Sequence, residues 1–158
     1  MTTQVKNGHC VELRAAGATD LPAVLALLGN AKLPTAGVAD QPSQFIVAES
    51  DGRVVGVVGL EIYGDSALLR SATVEDNWRG SGVGRVLVER ALDVARARGL
   101  NDVFLLTTTA EHYFPRFGFA CVSRDSVARG VQSSIEFQEA CPASAMVMRK
   151  SLREGATP

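Results

Sequence analysis

The chain has 158 residues, 46% of them hydrophobic, and a formal net charge of −1. That length suits one domain with a core of its own, and the near-zero balance offers no basic face for nucleic acid. Its apolar stretches fall well short of the roughly 20 residues a membrane helix needs, and the polar segment from Met1 to Glu12 lacks the apolar stretch of a signal peptide. The expectation is a cytoplasmic protein with no membrane contact.

Val11 to Arg14 reads as a short strand. Ala18-Thr19-Asp20 then signals a helix start, with Pro22 tolerated in the first turn. Leu21, Val24, Leu25 and Leu28 follow at helical spacing until Gly29-Asn30 stops the helix. Leu33 to Pro42 is expected to be a loop containing a helical turn. Three strands come next, Phe45 to Glu49, Val54 to Tyr63 and Ala67 to Val74. Ser50-Asp51-Gly52-Arg53 is a hairpin turn between the first two, and Gly64-Asp65 turns between the second and third. Gly56 and Gly59 inside the second strand mark a bulge or a close backbone approach. An antiparallel meander is the simplest arrangement.

From Gly82 to Gly99 the apolar period becomes 3.6, with Val83, Val86, Leu87, Ala91 and Val94 on one stripe. Arg96 and Arg98 suit the last turn and Gly99 the C-cap. Val103 to Leu106 is a continuous apolar run, as in a strand covered on both faces. Ala110 to Phe117 reads as a short helix closed by Gly118, and Phe119 to Val122 and Ala145 to Met148 as strands. Asp125 to Glu139 is polar and partly helical; a cover for a cleft, a connector and a dimer contact all remain open for it. Residues 1–152 are expected to form a single domain and 153–158 a disordered tail.

Cys10, Cys121 and Cys141 are expected to be reduced and mostly buried. Cys141, before Pro142, keeps a functional option. Neither the cysteines nor the distant pair His9 and His112 has metal-site spacing, so no metal is expected.

The chemistry concentrates in Arg79-Gly80-Ser81-Gly82-Val83-Gly84, between a strand and a helix. Glycines let successive N–H groups converge on one point, and the helix N-terminus adds a positive dipole end. A pyrophosphate suits that concavity, and Arg79 and Arg85 flank it for charge-assisted contacts. A Walker loop would carry Lys and then Ser or Thr after its last glycine, whereas Arg85-Val86 follows Gly84. A dinucleotide fingerprint would open a strand-helix-strand unit, whereas this loop follows several antiparallel strands.

With Val74 five residues before Arg79, the loop resembles the acyl-coenzyme-A motif of the GNAT acetyltransferases. Tyr113-Phe114-Pro115-Arg116-Phe117-Gly118-Phe119 resembles that superfamily's second signature, an aromatic segment ending in Gly-Phe. The resemblance spans about Val11 to Arg149. It implies an α/β (α+β) fold, a central mixed, mostly antiparallel sheet of six to seven strands flanked by about four helices, and acetyl-CoA as cosubstrate. A narrower resemblance links Leu105 to Ala110, Tyr113-Phe114 and Cys141-Pro142-Ala143-Ser144-Ala145 with Met148 to the small acetyltransferases of arsenic-resistance operons. The Thr-Thr and aromatic-Phe arrangement also resembles the acetyltransferase domain of N-acetylglutamate synthases. Both imply the primary amine of an amino acid or analogue as acceptor, with a homodimer as one allowed assembly.

By resemblance, Ala72, Thr73 and Val74 would hold the pantetheine arm through the main chain, while Gly80, Ser81, Gly82, Val83 and Gly84, with Arg79 and Arg85, would hold the pyrophosphate. Acetyl transfer further needs a base or water path for the amine and a proton for the leaving thiolate. Glu61, interrupting an apolar strand, is the first candidate base, with Glu75 second; a solvated strand position is the alternative for Glu61. Many relatives carry Glu where Leu68 stands, and Tyr where Phe114 stands. Tyr113, turned by about 100° relative to its neighbour on a helix, is the candidate acid, with water as the alternative. Arg70 is either a clamp for a substrate carboxylate or half of an internal salt bridge. Thr107, Thr108 and Thr109, at the end of the buried strand, are candidate acceptor contacts. A non-catalytic acyl-CoA-binding sensor is the competing function. Protein or peptide acetylation is disfavoured because no feature marks a peptide groove.

Overall fold

A computed structural model describes residues 2–4, 10–32, 44–107, 112–127, 131 and 146–152. Two compact units divide the chain: Met1–Leu60 with Ser71–Ala91, and Glu61–Arg70 with Leu92–Pro158. The strands are β1 (Thr2–Gln4), β2 (Cys10–Ala15), β3 (Phe45–Ser50), β4 (Arg53–Tyr63), β5 (Ser66–Val74), β6 (Asp102–Thr107), β7 (Ala120–Cys121) and β8 (Met146–Ser151). Two α-helices are described along their length, α1 (Leu21–Asn30) and α2 (Val83–Ala97). All seven strands read from the sequence are present. Thr2–Gln4 adds an eighth, pairing antiparallel with β2; its polar Thr-Thr-Gln carries no alternation that would have announced it.

In the first unit, β1, β2, β3 and β4 lie side by side in that order, all antiparallel. The β3–β4 turn works as its sequence requires, because Asp51 (φ 52°) and Gly52 (φ 79°) both take positive φ. Gly56 does both things expected of a strand glycine. The register slips beside it, with Ala48 opposite Gly56 but Glu49 opposite Val54. The bulged Val55 then turns its carbonyl to the Glu75 amide at 2.8 Å. A Cβ at Gly56 would lie 2.9 Å from Leu87 Cδ1 and 3.0 Å from Val83 Cγ1, so α2 can come this close only because no side chain is there. On α1, Val24, Leu27 and Leu28 pack with Phe45, Val47 and Val57.

In the second unit the order is β5, β6, β8, β7. Leu68 pairs with Phe104 in the parallel β5–β6 ladder, and β8 runs antiparallel to both β6 and β7. The mixed, mostly antiparallel pattern is thus present. Val103, Phe104 and Leu105 are all buried in succession, as a strand covered on both faces requires. Leu68, Phe104, Val127, Val131 and Val147 form one core cluster. The expected helix ending at Gly118 is in its described part only a 3₁₀ turn, Phe114–Phe117. Pro115 has no N–H to continue a longer helix, and Gly118 closes the turn at φ 95°.

The buried stripe of α2 is Val83, Leu87, Val88, Ala91, Leu92 and Ala95, displaced toward Val88 and Leu92 from the stripe read through Val86 and Val94. Among the cysteines, Cys10 and Cys121 are exposed rather than buried. Cys10 is the first residue of β2, and Cys121 lies on the two-residue β7. Cys141, the expected Leu33–Pro42 loop and most of the 125–139 segment lie outside the described residues.

Candidate coenzyme and acceptor sites

The elements expected to hold the coenzyme belong to the first unit. After β5 comes a 3₁₀ turn, Asp76–Trp78, then the loop, then α2 from Val83. Gly80 and Gly82 adopt φ of 79° and 97°, which only glycine takes without strain. Ser81 turns inward, 7% exposed. Its hydroxyl donates to the Trp78 carbonyl and accepts from the Val83 amide at 3.4 Å, and its own amide donates to the same carbonyl at 3.2 Å. Ser81 therefore braces the loop from inside. The two amides it occupies, its own and that of Val83, alternate with those of Gly80, Gly82 and Gly84. These three and the Arg85 amide have no acceptor among the described residues. Such unpaired donors at a helix start are what an anion requires.

Arg79 and Arg85 are each 65% exposed, resting on Asp76 at 3.2 Å and Glu89 at 3.8 Å. Exposed pairs of this kind hold weakly, so either guanidinium can exchange its carboxylate for a phosphate. Thr73, Val74 and Arg79 line a cavity of about 720 Å³, together with Asp20, Glu75 and Asp76. Glu75 is bound by Arg53. Asp20 accepts from Arg14 Nη1 at 2.7 Å and Nη2 at 3.0 Å, and from the Gly17 amide at 2.7 Å. Those bonds hold its carboxyl below the usual carboxylate range.

The other candidates belong to the second unit. Glu61 and Arg70 come together: Nη1 of Arg70, whose side chain is fully buried, lies 3.0 Å from Oε2 of Glu61. Oε1 of Glu61 accepts from the Tyr63 hydroxyl at 2.7 Å. Sequence reasoning overlooked Tyr63, although its place two residues after Glu61 puts both on one strand face. Leu68, where a Glu was the alternative base position, is wholly buried in apolar core; a carboxylate there would lose its water.

Thr107 is half-buried at the end of β6, opposite Met146. Thr108 and Thr109 lie outside the described residues. Tyr113 is half-buried, edge-on to Phe114 and Phe117 with ring centroids at 5.3 and 5.4 Å, and the Arg116 guanidinium lies 4.3 Å from its ring centre. Phe114 is 8% exposed and packs on Phe119 at 5.8 Å. The residue replacing the expected tyrosine is therefore core, and the hydroxyl of this segment sits one position earlier.

A mixed, mostly antiparallel sheet with a glycine-rich amide concavity opening a long helix defines a coenzyme-binding acyltransferase architecture. Residues 19–119 match the Acetyltransferase (GNAT) family, and the chain belongs to it. It is 35% identical over 82 residues to an uncharacterized N-acetyltransferase of Chlorobaculum tepidum, covering 51% of this chain and 52% of that protein. It is 28% identical over 128 residues to the amino-acid acetyltransferase of Pasteurella multocida, covering 74% of this chain but 29% of the other. The chain thus spans about half the length of one curated relative and under a third of the other. Among solved structures, N-acetylglutamate synthase from Neisseria gonorrhoeae has the same fold, with a TM-score of 0.79 at 22% identity over 91% of this chain and 35% of that one. Rv2747 from Mycobacterium tuberculosis, solved with CoA and NLQ, has a TM-score of 0.77 at 26% identity, covering 90% of this chain and 99% of the other.

Proposed function

We propose that the chain transfers the acetyl group of acetyl-CoA to the primary amine of a small molecule, an amino acid or an amino-acid analogue. The observation that carries this is the set of unpaired amides at Gly80, Gly82, Gly84 and Arg85, placed for a pyrophosphate. The CoA-bound Rv2747 supports the coenzyme, and the similarity to an amino-acid acetyltransferase supports the acceptor class. The amine nitrogen bonds to the thioester carbonyl carbon, the C–S bond breaks, and the thiolate takes a proton. Tyr113 is the proposed donor, with water the alternative, since a free thiol has a pKa of about 8.5. The main chain of Ala72, Thr73 and Val74 is assigned to the pantetheine arm. Thr107 is assigned to the acceptor side, with Thr108 and Thr109; Arg70, a candidate clamp from the sequence, is instead held in the buried ion pair with Glu61.

The test is thiol release from acetyl-CoA with a panel of amino acids. The resemblance to arsenic-resistance acetyltransferases adds arsenic-bearing amino-acid analogues to that panel. Turnover with one class of amine is expected; no turnover and no calorimetric binding of CoA would sink the proposal. A second reading, an acyl-CoA-binding module without turnover, is favoured by Phe114 in the core and by the engaged carboxylate of Glu61. It predicts CoA binding with no acetylated product.

A further inference from the structure

Glu61 is the one carboxylate of β4, yet its geometry is that of a tether. Each of its oxygens already accepts a hydrogen bond, Oε1 from the Tyr63 hydroxyl at 2.7 Å and Oε2 from Arg70 Nη1 at 3.0 Å. A general base needs an oxygen turned to the proton it removes, directly or through one water. Here the carboxylate is 11% exposed and its cationic partner is fully buried. Charges this deep persist only when paired, and removing one strands the other. The two residues joined are Glu61, near the end of β4, and Arg70, midway along β5. The residue after Arg70 is Ser71, which takes a φ of 62° in mid-strand. A non-glycine residue holds that conformation only when its surroundings fix it, and Arg70 is the neighbour that the carboxylate anchors.

We propose that Glu61, Tyr63 and Arg70 form a buried positioning triad that fixes β5 at Arg70, and that Glu61 is not the proton acceptor. The amine then gives its proton to water. This rests on the acetyl-transfer reading and deepens it by reassigning one of its residues.

The experiment is the pH dependence of kcat/KM in Glu61→Gln and Tyr63→Phe. If Glu61 only positions, Glu61→Gln lowers the rate by roughly threefold to tenfold, in line with one weakened hydrogen bond, and the shape of the pH profile stays that of the wild type. A base at Glu61 would instead cost about 10²- to 10⁴-fold and remove a limb of the profile; that result overturns the proposal. Tyr63→Phe changes a single hydroxyl and serves if Glu61→Gln does not fold: a profile moved along the pH axis counts against positioning, and an unmoved one supports it. Glu61→Leu/Arg70→Met replaces the pair with apolar groups and is expected to fold while remaining at least about tenfold slow. Full activity in that variant would show that the triad is merely structural. Should the wild type bind acetyl-CoA and acetylate nothing, the proposed reaction fails. The triad is then read from the Arg70 Nη1 protons, expected to exchange slowly in the wild type and quickly in Glu61→Ala; equal exchange in the two overturns it.

Discussion

The loop from Arg79 to Gly84 and the triad of Glu61, Tyr63 and Arg70 solve opposite problems. The loop works by leaving main-chain donors unpaired: two glycines at positive φ turn the backbone, Ser81 braces it from within, and four amides stay open. The triad works by pairing buried charge, since each carboxylate oxygen has a donor and the guanidinium is sealed from solvent. One presents backbone donors, braced by the Ser81 hydroxyl, and is intolerant of a side chain added at the wrong place. The other depends wholly on side-chain identity. A site built from backbone fails by obstruction, and one built from buried charge fails by subtraction.

Obstruction should all but remove coenzyme binding. Gly82 has open space around the position a Cβ would take, so Gly82→Glu is expected to fold, with a strain of about 1–2 kcal/mol at its φ of 97°. Its carboxylate would occupy the anion's place. CoA affinity measured by calorimetry should fall by about 100-fold or more, the loss of two or more charge-assisted hydrogen bonds. Retained affinity in a folded Gly82→Glu would mean that the open amides do not hold the pyrophosphate.

Subtraction comes next. Arg70→Met alone leaves the Glu61 carboxylate buried without its cation, and should lower unfolding free energy by about 3–5 kcal/mol. Denaturant melts would show it as a fall in midpoint. A loss under about 1 kcal/mol would mean that water reaches Glu61, and the contrast with the loop would lose its force.

The same contrast explains what was legible in the sequence. Arg79 to Gly84 could be read because glycine spacing before a 3.6-period stripe specifies backbone geometry locally. Strands with turn residues between them were equally readable, down to Asp51-Gly52. The triad was only half visible. Arg70 among apolar residues signalled a pair, but Glu61, its partner nine positions away, stood in its own apolar strand, and a hairpin register decides whether such residues meet. Thr2–Gln4 could not be seen at all, because an edge strand that borrows its ladder from β2 needs no hydrophobic alternation. Nor does cysteine's usual burial apply to Cys10, on an outward-facing position at the start of β2, or to Cys121 on the exposed β7.

Gly56 tests whether obstruction matters away from the loop. Its missing side chain lets Val83 and Leu87 approach, and the Thr73 carbonyl lies 3.4 Å from the Cβ position. Gly56→Ala should cost about 1–3 kcal/mol through overpacking, measured by thermal melting. The Leu87 methyl can swing aside, but Val83 Cγ1 and the carbonyl cannot move as freely. A neutral or stabilising Gly56→Ala would show that α2 has slack against β4.

The smallest effect separates buried charge from charge that water still reaches. Asp20 accepts two bonds from Arg14, which also donates from Nη2 to Glu49 at 2.5 Å, but Arg14 keeps 34% of its side chain exposed. Hydrogen bonding to Arg14 holds the Asp20 carboxyl below its ordinary value. The sign follows directly: a carboxyl whose folded value is depressed adds stability above its unfolded pKa of about 3.9, and loses it as pH falls through the folded value. Asp20→Asn should therefore cost about 1–2 kcal/mol at pH 7 and nearly nothing once the acid limb is passed. Unfolding free energies of wild type and variant should converge on acidification. A gap that stayed constant down to about pH 2 would mean that the substituted amide fails by its shape and not by its missing charge. Because Arg14 can be hydrated when the Asp20 carboxylate is gone, this loss should stay below that of Arg70→Met. Equality of the two would show that solvent access is not what distinguishes the triad.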